Sequence, residues 1–397
     1  MFNKRIYLDY ASLTPIDPRV LREMGRFSIS KYANPSSIYK EGFAAKEALD
    51  SGRKKIAGFI HAHPDEMIFT SGGTEANALA LEGVFNHARK QGIEKPHLII
   101  SAIEHSSIIE TADALGKQGC EVTRLAVDSS GLISLSNLKK SIKPNTFMVS
   151  IMTVNNEIGT IQPIKEIAKI IRQARVANSN TKNDSENNTN YPLFHTDAAQ
   201  AVLYQELNME SMGVDLMTLD SSKMYGPRGM GALYIRRNTP IEPIIHGGGQ
   251  EKGIRSGTEN IPAIMGFAKA CEIAATERTG KTTMIEELRS SFIAGLKSIR
   301  SDIRINGVDG ASQSPHILNV SIPGIDNEFF VLQLDAQGIA CSTKSSCLRD
   351  ADESYVLQAI GVSSKDSVRF SFGRFTKKKH VTRSLKIIRD VLLFLTK

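Results

Sequence analysis

Pro192-Leu193-Phe194-His195-Thr196, closed by Asp197-Ala198-Ala199-Gln200, and Val214-Asp215-Leu216-Met217-Thr218-Leu219, closed by Asp220-Ser221-Ser222-Lys223, share one pattern. Each is a short apolar run, the length of a buried strand, that ends in small polar residues. The pattern recurs at Glu66-Met67-Ile68-Phe69-Thr70, at His97-Leu98-Ile99-Ile100-Ser101 and from Thr146 to Met152. Amphipathic stretches lie between the runs, from Thr74 to Arg89 and from Ile164 to Ala177. Alternation of this kind predicts an α/β fold, a mostly parallel sheet with helices on both faces. Ligands of such sheets sit at the C-terminal ends of the strands, where the polar residues of interest fall.

The chain has 397 residues, 41% of them hydrophobic and 23% charged, which suits two ordinary globular domains and excludes a mostly disordered chain. A boundary is expected near 262. A large domain then spans 15–262, and a smaller α+β domain combines 1–14 with 263–397. The strand-like runs Ile317–Ile322 and Val368–Phe372 belong to the second. Residues 178–190 are almost wholly polar and read as a surface loop, because they offer no apolar surface to offset ordering. No apolar run reaches the roughly 18 residues that span a bilayer, and Met1–Ile6 lacks the apolar core of an export signal. No membrane contact is expected. The net charge of +7 is spread along the chain, so direct nucleic-acid binding is not expected either. Four cysteines in so long a chain do not make a disulfide framework and point to a reducing, cytoplasmic setting. His61-Ala62-His63 has too few companions for a metal site, and none is expected.

Three turns carry candidate chemistry. Thr70-Ser71-Gly72-Gly73-Thr74-Glu75 joins a strand to a helix; it is either an anion seat at a helix N-terminus or a plain turn capped by Thr74. Asp197 is either a partner for a cationic ligand group or a cap for the helix after it. Lys223 sits in a turn of small residues and is either an imine-forming amine or a solvated surface lysine. Together, an anion seat, an acid and a lysine on strand ends match the needs of pyridoxal 5′-phosphate (PLP): a phosphate cradle, a partner for the ring nitrogen and an amine. In a separate polar run, Cys347 stands between Lys344 and Arg349, cations that favour a nucleophilic thiolate, whereas Cys341 reads as an inert strand cysteine.

Read in order, these residues resemble the cysteine desulfurases. The resemblance runs from Tyr7-Leu8-Asp9-Tyr10 through Asn34-Pro35-Ser36-Ser37, Glu104-His105, Val154-Asn155-Asn156-Glu157-Ile158-Gly159 and Arg255-Ser256-Gly257-Thr258 to Val368–Phe375. It implies the aspartate-aminotransferase-like PLP fold type I, working as a homodimer. It makes Lys223 the lysine that binds PLP covalently, Asp197 the partner of the pyridinium and Gln200 that of the ring oxygen. His105 would stack on the ring and move protons. Gly73, Thr74 and Ser222 would hold the phosphate with Thr258 from the other subunit. Asn155 would lie beside the cofactor, and Arg369 would take the substrate carboxylate, with Asn34 also near the substrate. Cys347 aligns with the nucleophile. The activity implied converts L-cysteine to L-alanine and leaves a Cys347 persulfide. The sulfur then passes to an acceptor protein for iron–sulfur cluster assembly or tRNA thiolation. A selenocysteine lyase-like enzyme and a partner-docking pseudoenzyme are the alternatives.

One departure stands out. Where the family usually reads Ser-x-His-Lys, this chain has Asp220-Ser221-Ser222-Lys223. Two unit charges about 4 Å apart at an effective dielectric near 20 interact by on the order of 4 kcal/mol, so a carboxylate beside a phosphate is unfavourable. Asp220 is therefore expected to turn away and bond a neighbouring backbone amide, leaving an Asp220→Ser change worth less than about tenfold in PLP affinity.

Overall fold

The computed structural model describes residues 5–181, 191–308, 310–343 and 353–395. In chain order the first elements are β1 (Ile6–Tyr7), α1 (Pro18–Ser30), α2 (Lys40–Phe59), β2 (Met67–Thr70), α3 (Gly73–Lys90) and β3 (His97–Ser101). There follow α4 (Ser106–Lys117), β4 (Glu121–Leu125), α5 (Leu135–Ser141), β5 (Thr146–Ser150), α6 (Ile164–Thr181) and β6 (Leu193–Asp197). Next come α7 (Met209–Met212), β7 (Leu216–Asp220), β8 (Gly231–Ile235), α8 (Ile261–Ile299), β9 (Arg304–Asn306) and β10 (Ile317–Ser321). The last are α9 (Asn327–Ala336), β11 (Ile339–Ala340), α10 (Tyr355–Ala359), β12 (Ser367–Ser371) and α11 (Lys378–Leu395).

The central sheet has seven strands in the order β2-β8-β7-β6-β5-β3-β4. All neighbours pair in parallel except β8, which runs antiparallel to both β2 and β7. Strands β2 and β7 therefore point the same way as the rest, and every turn named above opens on one edge of the sheet. Both faces are buried, which is why the strands read as near-continuous apolar runs. Period-two alternation sorts their side chains: Met67, Phe69, Ile99, Met217 and Leu219 join the core under α2, α6 and α8. Ile68, Leu98, Ile100 and Leu216 join the core under α3 and α4.

The smaller unit contains the antiparallel sheet β12-β10-β9 and the parallel pair β1-β11. Ile6 and Leu8 pack in its core. The change of core falls inside a helix rather than at 262. In α8, side chains from Ala263 to Ala274 pack in the large core, and those from Ile285 to Leu296 pack in the small one. The turn at Pro262 only starts this 39-residue helix, because proline fits a helix's first turn, where its missing N–H costs nothing. The polar run expected as a loop from 178 begins as the last turn of α6, which reaches Thr181; residues 182–190 lie outside the described ones.

Gly231 connects fold to site. A Cβ there would stand 2.6 Å from the carbonyl carbon of Gly72 and 2.7 Å from its Cα, both backbone atoms. Only glycine lets β8 pass this close to the turn before α3. Gly231→Ala is expected to cost about 1–3 kcal/mol, as overpacking does. It should also displace the turn, so a lowered urea midpoint is expected. An unchanged midpoint would contradict this reading of the contact.

Candidate active site

A cavity with about 720 Å³ of empty space, partly open to solvent, lies at the C-terminal edge of the large sheet. Its wall includes Gly73, Thr74, His105, Asp197, Gln200, Lys223 and Arg369 from the sequence-predicted set. The C-terminal ends of β2, β3, β5, β6 and β7, and β12 of the small unit, thus converge on one space.

Asp197 ends β6, and its Oδ1 accepts the Ala199 N–H at 2.9 Å, so it caps the turn while facing the cavity. Both of its expected roles are therefore compatible. Its Oδ2 accepts from Asn77 Nδ2 at 2.7 Å. The same amide nitrogen donates to Ser107 Oγ at 2.9 Å, and Ser107 N–H donates to His105 Nδ1. Asn77 therefore ties the acid to the histidine. It is buried, lines the cavity and was not singled out from sequence; the available signal was a lone amide on the apolar face of α3. His105 is the N-cap of α4, and because Nδ1 accepts there, the proton of the neutral ring sits on Nε2.

Beneath this network Glu104 is fully buried. Its Oε1 accepts from Ser101 Oγ and from the Met152 N–H at 3.0 Å. Loss of solvation pushes its pKa up to about 8, the Asp197 charge adding to the rise against these hydrogen bonds. Gln200 donates through Nε2 to the Ala11 carbonyl at 2.8 Å, and its Oε1 meets His316 Nε2 at 3.1 Å. Burial pushes the His316 pKa down to about 3, so that ring is neutral at physiological pH.

Lys223 lies in a 3-10 turn after β7 and donates to the Ser12 carbonyl. The turn is held independently of that bond: Thr14 N–H and Oγ donate to the Ser222 carbonyl, and Tyr225 N–H donates to Thr14 Oγ1 at 2.7 Å. Arg369, in β12, is almost wholly buried. Its guanidinium reaches the Asn156 carbonyl and Asp9 Oδ1, each at 2.8 Å, and Ser12 Oγ at 2.6 Å. These bonds fix a planar cation at the cavity wall.

Other expected residues sit elsewhere. Asn155 does not line the cavity; it is buried in its own loop, with Oδ1 accepting from the Glu157 and Ile158 N–H groups and Nδ2 donating to the Ile103 carbonyl. Its neighbour Asn156 reaches the wall instead. Asn34 is exposed and caps its own turn through the Ser36 N–H. Thr258 is exposed and away from this cavity. Ser222 is half-buried and off the wall, its N–H and carbonyl spent on Asp220 and Thr14. Cys347, with its neighbours Lys344 and Arg349, lies outside the described residues.

Asp220 differs from the expectation in an informative way. Its Oδ1 does accept a backbone N–H, that of Ser222, at 2.8 Å. Yet that bond does not turn the carboxylate away. Asp220 lines the cavity, and Oδ2 points to the Gly73 N–H at 3.4 Å. A residue ending β7 faces the first residue of α3, where free N–H groups and the helix dipole attract an anion.

These residues fit two of the three needs of PLP, the amine and the partner for the ring nitrogen. An imidazole faces the same space, and the buried Asn77 Oδ1 has no partner among the described residues, a polar position suited to a bound group. The third need, the phosphate seat at α3, is the one Asp220 contests.

The model of the aminotransferase class-V family matches residues 6–383. Among relatives, the chain is 39% identical to the cysteine desulfurase IscS of Dictyoglomus turgidum, covering 98% of this chain and 95% of that protein. It is 41% identical to the mitochondrial cysteine desulfurase of Candida albicans over 99% of this chain and 78% of that one. A solved NifS-like protein superposes with a TM-score of 0.88 at 34% identity, covering 98% and 100%. SspA, solved in complex with cysteine, superposes with a TM-score of 0.77 at 31% identity, covering 94% and 99%. With the sheet order and the converging lysine, aspartate and histidine already in hand, these matches place the chain in the cysteine desulfurase family of class-V aminotransferases.

Proposed function

We propose that this protein is a PLP-dependent cysteine desulfurase that takes sulfur from L-cysteine and hands it on from Cys347. The observation that carries the reading is the single cavity walled by Lys223, Asp197, His105 and Arg369. A docking shell without turnover has no need of all four in one place. PLP, once bound, supplies the electron sink through which the Cα–H and C–S bonds of cysteine are weakened.

The chain's own residues do the rest. Lys223 would anchor the cofactor and is an amine on the cavity wall able to carry a proton. Asp197, held by Asn77 and the Ala199 N–H, keeps a carboxylate on the cavity wall and would hold the ring nitrogen. His105, with Nδ1 occupied, offers Nε2 for proton transfer. Arg369 receives the substrate carboxylate, and Gln200, steadied by neutral His316, offers its amide to the ring oxygen. In the overall step an S–S bond forms between Cys347 and the substrate sulfur as the C–S bond breaks. The electron pair of that bond, with a proton, ends on the methyl group of alanine, so one thiol and one cysteine give one alanine and one persulfide.

The finer assignments belong to the same proposal. The protein works as a homodimer in which Thr258, exposed and away from its own cavity, serves the partner's site. Exposed Ile29 of α1, Phe43 of α2, and Tyr32, Ile38 and Tyr39 of the segment between them give apolar surface for such contact. The sulfur acceptor is a protein, such as an iron–sulfur scaffold or a tRNA-thiolation carrier. The free thiols of Cys120, Cys271 and Cys341 suit a reducing compartment such as the cytoplasm. Among the described residues no helix is long and apolar enough to cross a membrane.

The deciding experiment is a visible spectrum of the purified protein before and after L-cysteine, with alanine and sulfur quantified. A cofactor band perturbed by cysteine, with alanine and sulfur formed in equal amounts, is expected. A bound cofactor that yields no alanine would overturn the proposal, and faster turnover of selenocysteine would reassign the substrate.

A further inference from the structure

Asp220 and Glu75 are the two acids beside the first turn of α3, and they are treated differently. Glu75 is neutralised: Arg255 Nε donates to its Oε1 at 2.7 Å, and its Oε2 accepts the Ser71 N–H at 2.8 Å. Asp220 has no ion pair among the described residues; Lys223, three positions on, gives its ammonium to the Ser12 carbonyl instead. The Asp220 carboxylate is held from one side by the Ser222 N–H and faces Gly73 from the other. A Cβ on Gly73 would lie 3.2 Å from Oδ2, so the carboxylate fills the space above the helix start. An oxygen of Asp220 thus stands where an anionic ligand of α3 would put its own oxygen, on the N–H that such a ligand would use.

We infer that Asp220 is the affinity-setting residue of the cofactor's phosphate seat: it occupies the seat in the cofactor-free protein and must be displaced, against charge repulsion, when PLP binds. The inference rests on the PLP-dependent reading above. It follows that this chain loads its cofactor more weakly than a chain with a neutral side chain at this position. Its saturation then tracks the supply of PLP rather than staying full. The effect belongs to the phosphate, because the Asp220 carboxylate faces Gly73 of α3, whereas the aldehyde would meet Lys223, three residues further along the same turn, and the ring nitrogen would meet Asp197 at the end of β6.

The test titrates cofactor-free wild type, Asp220→Asn and Asp220→Ser with PLP and, separately, with pyridoxal, which has the ring and aldehyde but no phosphate. Asparagine keeps the shape and removes the charge; serine also removes the bulk. Both variants are expected to bind PLP at least about a hundredfold more tightly, a factor of ten for each 1.4 kcal/mol of relieved repulsion. Pyridoxal affinity is expected to stay within about threefold, since an uncharged ligand end gains nothing from losing a carboxylate. Inorganic phosphate should compete with PLP more strongly in the variants than in wild type. A PLP gain below about tenfold in both variants would overturn the inference while leaving the desulfurase reading intact. An equal gain for pyridoxal would also overturn it, by showing a general change of the pocket. PLP bound by none of the three proteins would overturn the inference and the cofactor reading together.

Discussion

Lys223→Ala is expected to remove covalent cofactor attachment altogether and to lower alanine formation by on the order of 10⁴-fold or more, as loss of a covalent catalyst does. The loss should not come from unfolding. Lys223 is half-buried, and its one bond to protein, to the Ser12 carbonyl, can be replaced by water. The turn around it is kept by Thr14, whose hydroxyl and amide hold Ser222 and receive Tyr225. Thermal stability should therefore stay within about 1 kcal/mol of wild type, the usual net worth of one hydrogen bond. Borohydride reduction of the wild type followed by peptide mapping checks the assignment directly. Cofactor fixed to Lys223, and to nothing in the variant, is the expected outcome; cofactor fixed to a different lysine would refute the assignment.

Cys347→Ser is the second large effect. Persulfide and alanine are both expected to fall by at least about 10³-fold, while the cofactor spectrum stays that of the wild type. The structure supports the choice through the other three thiols. Burial pushes the Cys120 thiol up to about 12, with the charge of Glu121 adding to it. Cys271 is buried in the large core, and loss of solvation again raises its pKa strongly. Cys341, packed against the small core, is raised by loss of solvation and next by the charges of Asp9 and Asp335. All three are held as thiols at physiological pH, and the thiolate is the nucleophile. Cys341→Ser is the matching control and should retain most activity. Sulfur transfer that survives in Cys347→Ser and disappears in Cys341→Ser would reverse the two assignments.

The family resemblance could be read because its motifs are local. Thr70–Glu75, His195–Gln200 and Asp220–Lys223 each pack a strand end, a turn and a functional side chain into a few consecutive residues. The parallel sheet was legible for a related reason: strands covered on both faces must be apolar along their length, and β2, β3, β5, β6 and β7 are. Strand β4 escaped because it is an edge strand whose residues are mostly half-exposed or exposed, so it carries no continuous apolar run. The antiparallel entry of β8 between β2 and β7 depends on the pairing of distant segments and on the absence of a side chain at Gly231.

By itself, the amino-acid sequence determined the family and marked candidate site residues, most of them at strand ends, since residue type and short-range periodicity are local. Tertiary structure alone decided where their side chains point. It brought Asn77 from the second turn of α3 between Asp197 and Ser107, and turned Asn155 inward while placing Asn156 on the wall. It moved the change of core into the middle of α8, because a helix can pass unbroken from one apolar environment to another. It also reversed the expectation for Asp220. Repulsion from a phosphate argued for turning away, but the cap on Ser222 and the dipole of a helix more than a hundred residues earlier in the chain hold the carboxylate toward the seat. Orientation of this kind depends on fields and contacts from segments far apart in the chain, which no local pattern encodes.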